Sequence, residues 1–176
     1  MTNHNIVPNI SKLNQPLIIA VTGTPGAGKT VLARKLSLLL KATYIDLNKI
    51  ALIGGLKHGF DASRQAAIIN EKGLFKALKP LLMPKRMYLA DSHLSHYLSS
   101  SKVSLCIVAR CDLKTLQSRL KKRGYGPKKI EENLEAEAIG VCLGEAKEFG
   151  HNVVEVDCSK SLSSAKLTQL LKQVRT

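Results

Sequence analysis

Eight consecutive residues, Gly23-Thr24-Pro25-Gly26-Ala27-Gly28-Lys29-Thr30, have the types and spacing to hold a triphosphate. They fit the pattern G-x-x-x-x-G-K-S/T. Backbone N–H groups converge on an anion only where the chain turns through conformations that glycine permits. A helix starting at Lys29 then presents its positive end to the same anion. Lys29 supplies a mobile point charge for the β- and γ-phosphates, and the Thr30 hydroxyl is a ligand for Mg²⁺. Gly26, Ala27, Gly28, Lys29 and Thr30 are therefore candidate nucleotide-binding residues.

A magnesium nucleotide needs a further acidic group at the end of a neighbouring strand. Asp91, directly after Met87-Tyr88-Leu89-Ala90, is the candidate. His93, two residues on, is either a group that orients water or touches phosphate, or an ordinary loop histidine. Further along, Arg119, Lys121, Lys122, Arg123, Lys128 and Lys129 form a basic run without an acidic side chain among them. The run brackets Gly124-Tyr125-Gly126-Pro127, a break able to close over a ligand. Phosphoryl transfer calls for positive charge around the moving group and exclusion of water, and the arginine fork matches phosphate oxygens. Arg123 is expected to act as a lid residue. Arg119 lies four residues earlier on the same helix face. The glutamates that follow (Glu131, Glu132, Glu135, Glu137, Glu145, Glu148) are expected to form mostly a solvated face. Gly140 and Gly144 are expected to admit another backbone closely.

These groups need a scaffold, and the periodicity supplies one. Short apolar runs predict strands over Leu17–Val21, Thr43–Ile45, Met87–Ala90, Leu105–Ala109 and Val153–Val156. Helical spacing predicts helices over Lys29–Leu40, Asn70–Leu82, Asp112–Lys122, Lys129–Glu148 and Ser164–Val174. Strands alternating with helices imply an α/β fold with a parallel sheet covered on both faces and right-handed crossovers. The glycine-rich stretch Gly54–Gly59 is expected to be the most mobile part of the domain.

A chain of 176 residues suits one domain. Residues 1–15 read as a flexible tail and 16–176 as the domain. With 44% apolar and 23% charged residues, a disordered or collagen-like chain is excluded. Lys and Arg outnumber Asp and Glu by 27 to 13, a net charge of +14, which favours a polyanionic partner or substrate. An aromatic content of 4% without tryptophan argues against a base-stacking single-strand binder. No apolar run approaches the ~20 residues of a membrane helix, so no membrane role is expected. The opening residues lack a signal-peptide core. The four cysteines show no CxxC pair, which points to reduced thiols in the cytoplasm or nucleus.

The loop GTPGAGKT, the element Asp91-x-His93, and the stretch Arg119-Leu-Lys-Lys-Arg123-Gly-Tyr…Lys129-Ile-Glu-Glu-Asn133-Leu-Glu-Ala-Glu137 together resemble the adenylate kinase isoenzyme six family. The likeness runs from Leu17 to Asp157. That family includes archaeal adenylate kinase-like proteins and a nuclear ATPase of small-ribosomal-subunit maturation. The resemblance implies a three-layer P-loop NTPase fold with a five-stranded parallel sheet. It implies a nucleoside monophosphate-binding insert at about 47–76 and a short lid at about 122–132. It implies phosphoryl transfer from MgATP to AMP with a slower ATPase activity, and ATP contacts at Gly26, Gly28, Lys29, Thr30, Val31 (through its backbone) and Arg123. The family's acidic and histidine positions fall on Asp91 and His93. Where the family carries an acidic insert, this chain has Gly59-Phe60-Asp61-Ala62-Ser63-Arg64-Gln65. Arg64 is expected to grip the acceptor phosphate and Asp61 to read its base or ribose.

Three functions fit these residues. The first is an ATP-dependent nucleoside monophosphate kinase using AMP. The second is an ATPase assembly factor that binds a ribosomal protein or pre-rRNA, in the cytoplasm and, in a eukaryote, the nucleus. The third is a P-loop kinase with another acceptor.

Overall fold

The computed structural model describes residues 14–61, 66–69 and 73–172, so most of the expected tail lies outside the described residues. The first strand, β1 (Leu17–Thr22), carries apolar residues at successive positions because both of its faces are covered. Ile18 and Ala20 point into one core, Ile19 and Val21 into the other. The helix α1 (Lys29–Leu40) follows, then β2 (Thr43–Asp46) and α2 (Leu47–Ile53). An insert contributes β3 (Lys57–Asp61), β4 (Ala66–Ile69) and α3 (Leu74–Leu78). The chain continues through β5 (Met87–Asp91), β6 (Leu105–Arg110), α4 (Leu113–Lys122), α5 (Pro127–Ile139), α6 (Val141–Glu148), β7 (Val153–Asp157) and α7 (Ser164–Lys172).

Five strands form one parallel sheet in the order β2-β5-β1-β6-β7. On one face pack Leu32 and Leu36 of α1, Leu116 and Leu120 of α4, Ile130 of α5, and Leu167 and Leu171 of α7. On the other pack Leu47 of α2, Leu74 and Leu78 of α3, and Ala146 of α6. The expected three layers are present. Register sets the carboxyl edge of the sheet: Asp46 pairs with Asp91, and Asp91 with Val21. The phosphate loop and the acidic group thus leave adjacent strands side by side.

Two expectations about elements are corrected, and the stretch Gly54–Gly59 leads into an antiparallel hairpin of β3 and β4, with Asp61 opposite Ala66. Its strands Lys57-His58-Gly59-Phe60-Asp61 and Ala66–Ile69 make no shared apolar alternation, so no strand was legible. Among the described residues, the helix expected over Asn70–Leu82 is α over Leu74–Leu78, then a 3₁₀ turn over Lys79–Leu81. Pro80 causes the change, because it has no N–H for the α-helical bond to Lys76. The single helix expected over Lys129–Glu148 is two, α5 and α6, parted at Gly140 with φ +71°. A left-handed glycine is the usual helix terminator. At Gly140 the close neighbour is the Arg110 side chain, not a backbone, and Gly144 faces open space.

Candidate functional site

The phosphate loop is a set of turns that only glycine fits. At Gly23, φ is +137° and a Cβ would lie 2.3 Å from the Ala109 carbonyl oxygen. Gly28, with φ +114°, begins α1. The first intrahelical bond runs from Leu32 N–H to Gly28 O at 3.1 Å. The amides of Lys29, Thr30 and Val31 therefore have no acceptor within the helix, and they line the loop with donors. Val31 is exposed, so its backbone is open to a ligand.

Lys29 folds back over the loop and donates to Thr24 O at 3.1 Å. Burial pushes its pKa down to about 8, while the Asp91 carboxylate pulls the other way. Asp91 is buried, and Tyr44 donates to its Oδ2 at 2.8 Å. Desolvation, then that bond, lifts the Tyr44 pKa to about 12, so Tyr44 stays a donor. The Arg34 guanidinium lies 5.2 Å from the Tyr44 ring. Asp91 Oδ1 is buried and has no hydrogen-bond partner among the described residues. An orphaned carboxylate oxygen close to the loop lysine is the donor that a hydrated Mg²⁺ on a nucleotide would take, since Mg²⁺ uses one or two carboxylates plus phosphate and water. Among the described residues no cluster of three or more His, Cys, Asp or Glu could cage a metal.

His93 reaches the cleft. Although His93 is exposed, the cleft walls, followed by the charges of Lys29, His96 and Lys129, lower its pKa. It is a neutral hydrogen-bonding group at pH 7. Ser92 donates to Asn48 Oδ1 at 2.9 Å and so ties the Asp91 loop to α2.

Two cavities share the phosphate loop. One, about 490 Å³, is lined by Val31, Leu32, Lys35, Arg119, Cys158 and Leu162, with Gly26, Gly28 and Arg123 at its border. The other, about 390 Å³, is lined by Lys29, Thr30, Asn48, Asp91, His93 and Lys129, again with Gly26, Gly28 and Arg123. Arg123 ends α4, and the connection to α5 is short: Gly124 turns with φ +73°, and Pro127 occupies the first turn of α5. The expected lid is thus a tight helix–helix joint. Tyr125 also lines the second cavity, and the Lys129 ammonium lies 4.3 Å from its ring.

Arg119 is placed beneath the loop. It donates to Gly26 O, Ala27 O, Cys158 O and Ser159 O at 2.9–3.4 Å and to Cys111 Sγ at 3.3 Å. Its two terminal nitrogens are committed to the protein, which leaves its planar face and Nε–H for a ligand. Asp61 closes the insert hairpin, and Arg64 lies outside the described residues.

The residue that sequence reasoning missed is Glu137. Its side chain is 3% exposed, not part of a solvated face. One oxygen accepts from Thr24 Oγ1 at 2.6 Å; the other accepts from Cys111 N–H and Arg110 Nε, both at 2.9 Å. Such a set of donors is what makes a buried carboxylate tolerable. Its position was legible after all: Ile130, Leu134 and Glu137 stand at i, i+4 and i+7, on the apolar stripe of α5.

A parallel sheet of this order, with a glycine-rich anion loop between β1 and α1 and an acidic residue ending the adjacent strand, defines a P-loop kinase fold. The AAA domain family matches residues 19–140. The chain is 38% identical over 167 residues to a "Putative adenylate kinase" of Thermococcus kodakarensis, covering 90% of this chain and 86% of that protein. It is 37% identical to the protein of the same name from Pyrococcus furiosus, with 91% and 85% covered. Among solved structures, shikimate kinase from Acinetobacter baumannii in complex with shikimate superposes with a TM-score of 0.58 at 18% identity, covering 92% and 93%; this likeness is one of fold. The chain belongs to the family of these archaeal adenylate kinase-like proteins.

Proposed function

We propose that the chain transfers the γ-phosphoryl group of MgATP to a nucleoside monophosphate, with AMP as acceptor. The observation that carries this reading is the pair of cavities meeting at the phosphate loop and Arg123. A triphosphate on the loop would have its nucleoside on the more apolar side and its γ-phosphate toward the polar cavity. The amides of Gly26 to Val31 and the Lys29 ammonium grip the β- and γ-phosphates. Arg123 balances the charge that spreads over the transferred group. Thr30 and Asp91 would hold Mg²⁺, which neutralises phosphate oxygens when bound. Asn48 lines the cavity that would take the acceptor, and Asp61 and Arg64 of the insert are expected to contribute to its binding. His93 orients the acceptor as a neutral group. No strong base is required, because positioning and electrostatics dominate this chemistry.

The test is ATP turnover with AMP, GMP, CMP and UMP in turn, against a blank without acceptor. AMP is expected to raise ADP formation at least tenfold over the blank. Equal turnover in all five would remove the kinase reading. The charge of +14 supports a second reading, an ATPase that binds ribosomal RNA or protein. RNA capture that falls steeply between low and moderate salt is its signature.

A further inference from the structure

Next to the phosphate loop lies a buried polar chain, Thr22, His96 and Glu145, that lines neither cavity and that the proposed chemistry does not touch. Thr22, the last residue of β1, is fully buried and immediately precedes Gly23. Its Oγ1 lies 2.6 Å from His96 Nδ1 and 3.3 Å from His93 O. His96 is 1% exposed, and its Nε2 lies 2.9 Å from Glu145 Oε2 on α6. Tyr97 donates to the other Glu145 oxygen at 3.4 Å. The His96 carbonyl is itself held by His151 Nε2 at 2.8 Å. Tyr97 and Phe149 flank the His96 ring, with centroids at 4.5 and 6.3 Å.

Elementary proton counting fixes the direction of this chain. Burial, reinforced by His151 and Lys29, lowers the His96 pKa and favours the neutral ring. Nε2 lies 2.9 Å from the Glu145 carboxylate oxygen, and a neutral ring that pairs with a carboxylate there carries its one proton on Nε2. Nδ1 is then bare and accepts from Thr22. The single Thr22 hydrogen goes chiefly to Nδ1, with the His93 carbonyl as its weaker second acceptor. Glu145 therefore dictates the tautomer, and the tautomer dictates where Thr22 points.

The placement gives the chain its consequence. Thr22 enters the phosphate loop, while His96 lies in the 3₁₀ turn Ser95–Tyr97 that follows Asp91. The β1–β5 ladder ends at the pair Val21–Asp91, and just beyond it Ser92 N–H reaches Val21 O at a long 3.3 Å. The 2.6 Å bond from Thr22 to His96 ties the two segments past the end of that ladder. We infer that Thr22, His96 and Glu145 form a positioning relay that sets the spacing between the phosphate loop and Asp91. It rests on the kinase reading for its effect on turnover, but the relay itself is a property of the free protein.

Two histidine substitutions split the relay in half. Asn places a polar atom where Nδ1 was and can still accept from Thr22. Gln places one where Nε2 was and can hold only Glu145. His96→Gln and Thr22→Val are expected to lower kcat roughly ten- to a hundredfold, the range for outer partners of a metal-binding group. The KM for ATP is expected to stay within about twofold, and His96→Asn to keep most of kcat. Nitrogen NMR of the His96 ring in the free protein is expected to show a proton on Nε2. The amide signals of Gly23 and Ser92–Leu94 are expected to shift in Thr22→Val and His96→Gln but much less in His96→Asn. Equal losses in the Asn and Gln variants, or full activity in Thr22→Val, overturn the relay and leave His96 as packing. Should His96→Gln fail to fold, Thr22→Val, which is nearly isosteric, decides alone. A parent protein that moves phosphate to no acceptor overturns the kinase reading instead. The NMR shifts then judge the relay, which falls if Nδ1 carries the proton or the three variants shift the loop amides alike.

Discussion

The Lys29 ammonium gives the nucleotide site a proton linkage with a definite sign. In the free protein burial holds its pKa at about 8. A triphosphate on the loop would bring several negative charges against it and restore the pKa toward or above the ordinary value of about 10.4. Binding then requires the charged form. The charged fraction of the free protein is about 0.76 at pH 7.5 and about 0.09 at pH 9, from the pKa of about 8. Apparent ATP affinity should therefore fall about eightfold across that interval, or about 1.3 kcal/mol. The γ-phosphate does not confound the trend, because its second pKa of about 6 leaves it fully ionised throughout. Calorimetry in two buffers of different ionisation enthalpy reads the linkage directly. About half a proton should be taken up per ATP at pH 8, and about nine-tenths at pH 9, and Lys29→Met should abolish the uptake. Heats identical in both buffers, with affinity flat from pH 7.5 to 9, would refute the placement of Lys29 against the phosphates. The same depression has a consequence for the ligand-free fold. Between pH 8 and the unfolded value of 10.5 the unfolded chain holds more protons than the native one. Stability contributed by this group rises with pH through that window.

Three other substitutions probe separate parts of the site. Glu137→Gln keeps the shape but removes the charge that faces Arg110 and leaves the donors from Thr24 and Cys111 imperfectly met; it should cost about 3 kcal/mol, seen as a lower urea midpoint at unchanged slope. Gly23→Ala sets a Cβ 2.3 Å from the Ala109 carbonyl oxygen at a φ of +137°, so thermal unfolding should drop by several degrees and ATP binding should be lost. Arg123→Ala, at an exposed helix end, should leave the melting temperature within about a degree while lowering kcat on the order of 10³-fold, the least an arginine of this kind contributes to phosphoryl transfer. Unaltered turnover in that variant would place the arginine outside the reaction.

The contrast among these residues explains which parts of the molecule the sequence disclosed. Gly23 to Thr30 are contiguous, so the anion loop and its strand and helix could be read together. The five sheet strands were visible because burial on both faces makes continuous apolar runs. The acidic group at the end of β5 followed from its place after such a run. Where two competing signals fell in one segment, the reading failed. The apolar period of α5 and α6 runs across Gly140 without a break, yet the left-handed backbone there ends one helix and starts another. The insert hairpin pairs a polar strand with an apolar one over a few residues, too little for a period to emerge.

The supports of the site were harder to read than the site itself, and the reason is geometric. A group that touches phosphate must lie on the loop or at a strand end, so its chain position is constrained. A group that holds such a residue in place needs only to reach it from behind, and any neighbouring helix will serve. Glu137 reaches Thr24 across 113 residues, Arg119 reaches Ala27 across 92, and Tyr44 reaches Asp91 across 47. In the sequence each is one more Glu, Arg or Tyr on an amphipathic element. What distinguishes Glu137 is a conflict: a carboxylate on the buried stripe of its helix. A charge on an apolar stripe requires a partner buried with it. At Glu137 that rule leads to the phosphate loop and to Arg110. The pattern to search for is therefore not the polar residue that fits its surroundings but the one that does not.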